Sequence, residues 1–125
     1  MMIKLCELYG SDYLICDGSN PLITDSLAEE MLLYHIDVQF QWQVLNLYNQ
    51  LCARNLCHSA NISALSGGQK ILLMIVLALH SRAKKLLLIN VFEHLDADKK
   101  KSLKAYLDSQ TIKTIRYIDD SAKSF

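Results

Sequence analysis

The unbroken apolar run from Ile71 to Leu79 limits what this chain can become more than any other feature. Ser66 and Gln69 stand in front of it in the S-x-x-Q order of a capping box. In that motif the serine hydroxyl and the glutamine side chain each satisfy an orphan amide of the first helical turn. The spacing predicts a helix that starts there and continues to Ser81. A helix that is apolar almost all round has no face to offer to water and must be packed on every side. The run is far below the ~20 residues needed to cross a bilayer, so its cover has to be protein.

The next stretch of chain supplies such a cover. Lys84-Lys85 precede Leu86-Leu87-Leu88-Ile89, a short continuous apolar run of the kind expected for a strand covered on both faces. Asp96 is placed to cap a last helix through about Leu107, with Leu103 and Leu107 on one face and the lysines on the other. Lys99-Lys100-Lys101 reads as a solvated helix face. Residues 111 to 118 alternate polar and apolar from Ile112, the period of a half-exposed strand. Strand, helix, strand in succession implies a right-handed crossover and parallel pairing, with the apolar helix lying on the sheet.

Upstream, residues 2 to 9 and the run Tyr13 to Cys16 are separated by the turn residues Gly10-Ser11-Asp12, which predicts two short strands, arranged as a hairpin. Asp17-Gly18-Ser19-Asn20-Pro21 is the densest cluster of breakers and predicts a loop. Ser26 and Glu29 give a second capping-box pattern, for a helix to about Tyr34. Asp37 can cap another. There Phe40, Val44, Leu47 and Leu51 recur at helical spacing with Trp42, Leu45 and Tyr48 beside them, which predicts a broad, mostly buried face. Tyr34, Trp42 and Tyr48 read as core rather than as a platform for a ring. Cys52 to Ala64 has no clear period and reads as irregular.

Composition narrows the functional classes. At 125 residues, 51% of them hydrophobic and 21% charged, the chain is expected to form one folded domain. Thirteen basic residues balance thirteen acidic ones, so there is no summed field to gather phosphate backbones, and nucleic acid is not expected as a partner. Cys6, Cys16, Cys52 and Cys57 form no CxxC pair and read as buried small hydrophobes. Cys52, Cys57 and His58 lack the spacing and the second ligand pair of a zinc site, so no metal is expected. His35, His58, His80 and His94 are scattered and read as structural or exposed. No charged and apolar leader pattern opens the chain, which predicts a cytoplasmic protein with no direct membrane insertion.

Leu65-Ser66-Gly67-Gly68-Gln69 at the start of a helix resembles the signature loop of the ABC (ATP-binding cassette) ATPases. The residue types have a chemistry of their own. A helix start offers unpaired amides and a positive dipole end, glycines let an anion approach the backbone, and a serine hydroxyl can donate to a phosphate oxygen. The plainer account is that Gly67-Gly68 ease a tight loop into a buried helix. The downstream order is similar to the family's as well: signature helix Leu65 to Arg82, apolar strand Lys85 to Asn90, Leu95-Asp96 at the D-loop position, helix Lys99 to Leu107, strand Ile112 to Ile118. Asn20 to Glu30 is similar to the segment that follows the family's Q-loop. The likeness covers roughly residues 13 to 120. It implies an α/β fold, a mostly parallel sheet core with helices packed on it plus a small helical subdomain at about 24–64. The signature helix, Walker B-like strand, D-loop-like turn and C-terminal strand fall within 65–120, all in a single degenerate domain over 1–125. An alternative alignment takes Ile3 to Asp17 as the family's opening strands, with Tyr9 or Tyr13 as the adenine-stacking aromatic.

The departures from the family matter as much. No G-x-x-x-x-G-K-[ST] occurs, so the chain has no P-loop to grip a triphosphate. At the Walker B carboxylate positions stand Asn90 and Val91, or Ile89 and Asn90 if the register moves by one; Glu93 is a stray carboxylate of an exposed loop. The switch histidine position falls near Asp119 or Asp120, and the Q-loop glutamine position near Gly18. The retained elements, Leu65 to Gln69 and Asp96, normally face a partner subunit across a composite site. The resemblance therefore implies a module without catalytic residues that binds no nucleotide alone. It would dock on an ABC-type ATPase subunit or a transport protein, peripheral to a membrane transport complex, and touch ATP and magnesium held by that partner. Two alternatives are an interaction or regulatory relic with no nucleotide, and one part of a split ABC or SMC-like ATPase, although Met1-Met2 opens the chain like a natural start. Losing the P-loop strand should expose apolar sheet surface. A homodimer covering the gap, or a rearranged sheet in which residues 2 to 16 fill it, is expected.

Overall fold

Lys85–Ile89 is the strand around which the rest is arranged. In a computed structural model that describes residues 13–52, 54–110 and 113–118, this strand (β2) lies between β1 (Tyr13–Asp17) and β3 (Thr114–Ile118), in the order β1-β2-β3. Both pairings are parallel, with Leu14 opposite Leu86 and Leu86 opposite Ile115. Four helices complete the described chain: α1 (Leu27–Leu33), α2 (Val38–Cys52), α3 (Gly67–His80) and α4 (Ala97–Asp108). The fold is α/β, a parallel three-strand sheet with helices packed on it.

The register divides the sheet into two faces, because successive side chains point to opposite sides. Leu14, Cys16, Leu86, Leu88 and Ile115 share one face with the main core, to which every residue from Ile71 to Leu79 belongs. The all-apolar helix is thus buried along its length, as its sequence requires. Leu87 and Ile89 lie on the other face in a smaller cluster with Tyr13, Ile15 and Ile118. β2 is consequently buried from Leu86 to Ile89, the condition its apolar run anticipates. Leu103 and Leu107 turn α4 inward, and Asp96 caps it by accepting from the Lys99 amide at 2.8 Å.

Several local expectations need correction. Tyr13 to Cys16 is not shown as half of a hairpin: β1 runs parallel to β2, and residues 2 to 9 lie outside the described residues. The expectation that residues 2 to 16 fill the place of the P-loop strand falls mostly outside the described residues; β1, its described part, pairs with β2 on the side away from β3. The buried line of α2 is Val44, Tyr48 and Cys52; Leu47 and Leu51 only flank the core, Phe40 is exposed and Trp42 is 70% exposed. An i, i+4, i+8 line drifts only slowly around a helix, and choosing it over the 4-3-4 spacing rotates Trp42 into solvent. Cys16 and Cys52 are buried as expected, whereas Cys57 is exposed. Asp37 does not cap α2; its carboxylate accepts from Arg82 Nη2 at 3.1 Å.

Ser26 caps α1 alone. Its hydroxyl accepts from the Glu29 amide at 3.3 Å, but the reciprocal glutamate arm of the box is absent. The neighbouring Glu30 is fully buried and accepts from the amides of Thr24 at 2.8 Å and Ile23 at 3.3 Å. A carboxylate taken out of water is tolerable there because backbone donors replace its hydration. It fastens the 21–25 loop to α1. At the other end of α1, His35 has φ 56. Its amide donates to Leu32 and that of Ile36 to Met31, the hydrogen-bond pattern of a Schellman turn.

Candidate functional site

The start of α3 is held from several sides. Ser66 is the N-cap, with its hydroxyl accepting from the Gln69 amide at 3.2 Å while Gln69 Oε1 accepts from the Ser66 amide at 3.0 Å. The capping box expected from the sequence is therefore complete. Leu65 is buried immediately before it, which fixes the direction from which the chain arrives. The hydroxyl of the buried Tyr48 donates to the Gln69 carbonyl at 3.1 Å and ties the first turn to α2. Tyr48 is legible in the sequence only as core; nothing local assigns it to this turn.

The two glycines of the loop differ in their surroundings. A Cβ on Gly68 would stand 3.0 Å from the His94 carbonyl oxygen and 3.4 Å from a Leu95 methyl, so the first turn of α3 rests against the loop leading to Asp96. A Cβ on Gly67 would meet nothing within 4 Å. Packing explains one glycine and not the other. Ser66 and Gly67 are exposed, and the Gly67 and Gly68 amides donate to no described residue. Two unpaired N–H groups at a capped helix start, under a residue with no side chain, make a surface suited to an anion.

The structure thus brings Leu65, Ser66, Gly67, Gly68 and Gln69 together with the turn that carries Asp96. Asp96 is exposed, and its carboxyl is held below the ordinary range by the Lys99 amide and then by the Lys99 ammonium, 3.1 Å away. Capping α4 is a sufficient structural reason for its presence. Glu93 is an exposed loop residue paired with His94 at 3.2 Å.

The carboxyl end of the sheet is where ligands settle in open α/β folds, and here the gap between the ends of β1 and β2 is closed. Gly18 donates its amide to the Ile89 carbonyl at 2.7 Å, and a Cβ on it would lie 2.2 Å from the Asn90 carbonyl oxygen. No side chain fits at this position, glutamine included. Asn90 follows β2 with φ 55, a left-handed conformation that Asn tolerates better than most residues, and its amide donates to Ile118 at 2.9 Å. Val91 turns into the core at 2% exposure. Ile89, Asn90 and Val91 together offer one uncharged amide and two buried aliphatic chains, so neither alignment register provides a carboxylate pair here. Asp119 and Asp120 lie outside the described residues, as does Tyr9. Tyr13 is half-buried at the start of β1, its hydroxyl accepting from Arg116 Nε at 3.1 Å. Among the described residues no group of His, Cys, Asp and Glu is arranged to hold a metal ion.

No protein-family model matches the chain, and no curated protein does. A solved structure matches clearly: a metal-chelate type ABC transporter in an inward-facing conformation, at a TM-score of 0.56 and 19% identity over 83% of this chain. The architecture is ABC-like. This chain spans 47% of the length of that one. No described helix is long and apolar enough to cross a membrane.

Proposed function

We propose that the chain is a non-hydrolysing ABC-type module that docks on a P-loop ATPase subunit, or on a transport assembly containing one, and presents the Ser66–Gln69 helix start to ATP held by that partner. The observation that carries this is Gly67. Its side of the loop is open, its amide and that of Gly68 are unpaired, and no packing demand explains the absence of a side chain. A phosphate oxygen arriving from another subunit would find two N–H donors, the positive end of α3 and the Ser66 hydroxyl.

The same residues cannot hold the nucleotide unaided. Triphosphate binding with magnesium needs a cradle of amides with a lysine and a carboxylate for the metal. The described residues offer a one-sided contact, and Gly18 packed on Asn90 leaves no room for a side chain at the Q-loop position. ATP and magnesium are therefore assigned to a composite site, with the chain peripheral to the assembly it joins.

A second reading treats the chain as an interaction module with no nucleotide. It is favoured by the structural tasks of Ser66, Gln69 and Asp96, all of which act as caps. A third, one part of a split ATPase, draws on the chain's spanning about half of its structural neighbour. Calorimetry with ATP and magnesium, on the chain alone and mixed with a P-loop ATPase subunit from the same cell, separates them. The proposal expects silence from the chain alone and heat from the mixture beyond that of the subunit, lost in Ser66→Ala. Equal heats with and without the chain would sink it.

A further inference from the structure

β3 ends the sheet among the described residues, and its register shows which backbone groups it leaves open. Thr114 donates to the Lys84 carbonyl at 2.9 Å, and Ile118 accepts from the Asn90 amide at 2.9 Å. In a parallel ladder alternate residues serve one neighbour, so Thr114, Arg116 and Ile118 serve β2. The N–H and C=O groups of Ile115 and Tyr117 point the other way, and no described residue pairs with them. All-parallel sheets are normally covered, and unpaired edges are normally blunted or filled.

The side chains beside this edge are unfinished in the same sense. Ile115 is half-buried at the margin of the main core, and Tyr117 is 47% exposed although its ring packs on Phe92 at 5.6 Å. Next to them is a cleft of about 180 Å³ whose apolar lining includes Val91, Phe92, Tyr117 and Ile118, with Asn90 and Glu93 also at it. On the opposite face of the same strand Arg116 is exposed, its Nε donating to the Tyr13 hydroxyl at 3.1 Å and its charge met by no acidic side chain among the described residues.

We infer that the outer edge of β3 accepts a strand from a different polypeptide, one with apolar residues opposite Ile115 and Tyr117 and an acidic residue between them opposite Arg116. The apolar positions extend the core over Ile115 and Tyr117, and the carboxylate meets the guanidinium on the other face. Backbone hydrogen bonds to Ile115 and Tyr117 supply the affinity, as in other cases of strand addition. Arg116 argues against a second copy: two β3 strands aligned antiparallel over their full length would set Arg116 against Arg116, and like charges directly opposite destabilise a pair. The inference rests on the sheet and is independent of the signature-loop reading.

Amide hydrogen exchange tests it with two synthetic nonapeptides, one alternating valine with glutamate and one alternating valine with lysine. In the chain alone the Ile115 and Tyr117 amides exchange faster than those of Arg116 and Ile118. With the glutamate peptide at about ten times its Kd they slow about tenfold, and with the lysine peptide they do not. Arg116→Glu, at an exposed site compatible with folding, reverses the preference. Protection of both amides in the chain alone, whether constant or rising with protein concentration, would overturn the inference. So would indifference to the glutamate peptide up to about 1 mM, or an unchanged preference in Arg116→Glu.

Discussion

Replacing Gly67 with alanine separates what the fold needs from what the proposed contact needs. The added methyl meets nothing within 4 Å, and the backbone there is not left-handed, so the substitution introduces no clash. Alanine at the start of α3 lowers the entropy of the unfolded chain and improves helix propensity, which in a helix interior amounts to about 0.5 to 1 kcal/mol. In the first turn the lower end applies, so Gly67→Ala should stabilise the chain by about 0.5 kcal/mol, or raise Tm by about 2 °C for a domain of this size. Denaturant and thermal unfolding, followed by far-UV circular dichroism, measure both. The same methyl tilts toward the helix N-terminus, the end at which the Gly67 and Gly68 amides are unpaired. If a partner's phosphate approaches them, loss of one charge-assisted hydrogen bond weakens ATP-dependent association by about tenfold or more. Stability up and association down is the signature of a glycine kept for a ligand. A stability loss of about 1 kcal/mol or more would refute the reasoning from open space, and unchanged association would remove the ligand.

Gly18→Ala should behave in the opposite way, because its Cβ would lie 2.2 Å from the Asn90 oxygen; separating the ends of β1 and β2 should cost about 3 kcal/mol in urea unfolding, and a loss under about 1 would contradict the packing. His35→Gly relieves a left-handed backbone at the end of α1 and should stabilise by about 0.5 to 1 kcal/mol, whereas destabilisation would mean that the His35 side chain makes a contact that matters. Alkaline pH should also be destabilising. Burial pushes the Cys16 thiol from 9.0 up to about 12, so between those values the unfolded chain has released a proton that the folded chain retains, and stability falls by roughly 1.4 kcal/mol per pH unit. Burial raises the Tyr34 and Tyr48 hydroxyls as well, which steepens the loss above pH 10. Urea titrations from pH 8 to 11 check this, and in Cys16→Val the loss beginning near pH 9 should shrink to the part left by Cys52, whose thiol is also raised by burial.

How much of the fold and the site is legible in the sequence depends on the range of the interactions. Caps are local, so Ser66 with Gln69 and Asp96 with the Lys99 amide can be read directly, as can the burial of Ile71 to Leu79 and of β2. The resemblance carried by Leu65 to Gln69 and the element order after it leads to the same α/β architecture that the structural neighbour shows. Faces of amphipathic helices are less secure. In α2 two apolar spacings compete, and packing against α3 selects Val44, Tyr48 and Cys52 while leaving Trp42 in solvent. Non-local contacts leave no signal. Gly18 reads as one more loop residue, yet it is pressed against the Asn90 backbone from a strand far along the chain. The burial of Glu30 depends on how the 21–25 loop folds back over α1, and the unlike surroundings of Gly67 and Gly68 depend on where His94 and Leu95 come to rest.

The most direct measurement is size-exclusion chromatography of the chain with a P-loop ATPase subunit from the same cell, run with and without ATP, for the native sequence and for Gly67→Glu. A glutamate at that exposed, uncrowded position leaves the fold intact and sets a negative charge where the phosphate would come. Co-elution that appears only with ATP and vanishes in the variant is the predicted result. Hydrolysis of ATP by the isolated chain, or co-elution indifferent to both nucleotide and substitution, would contradict the claim.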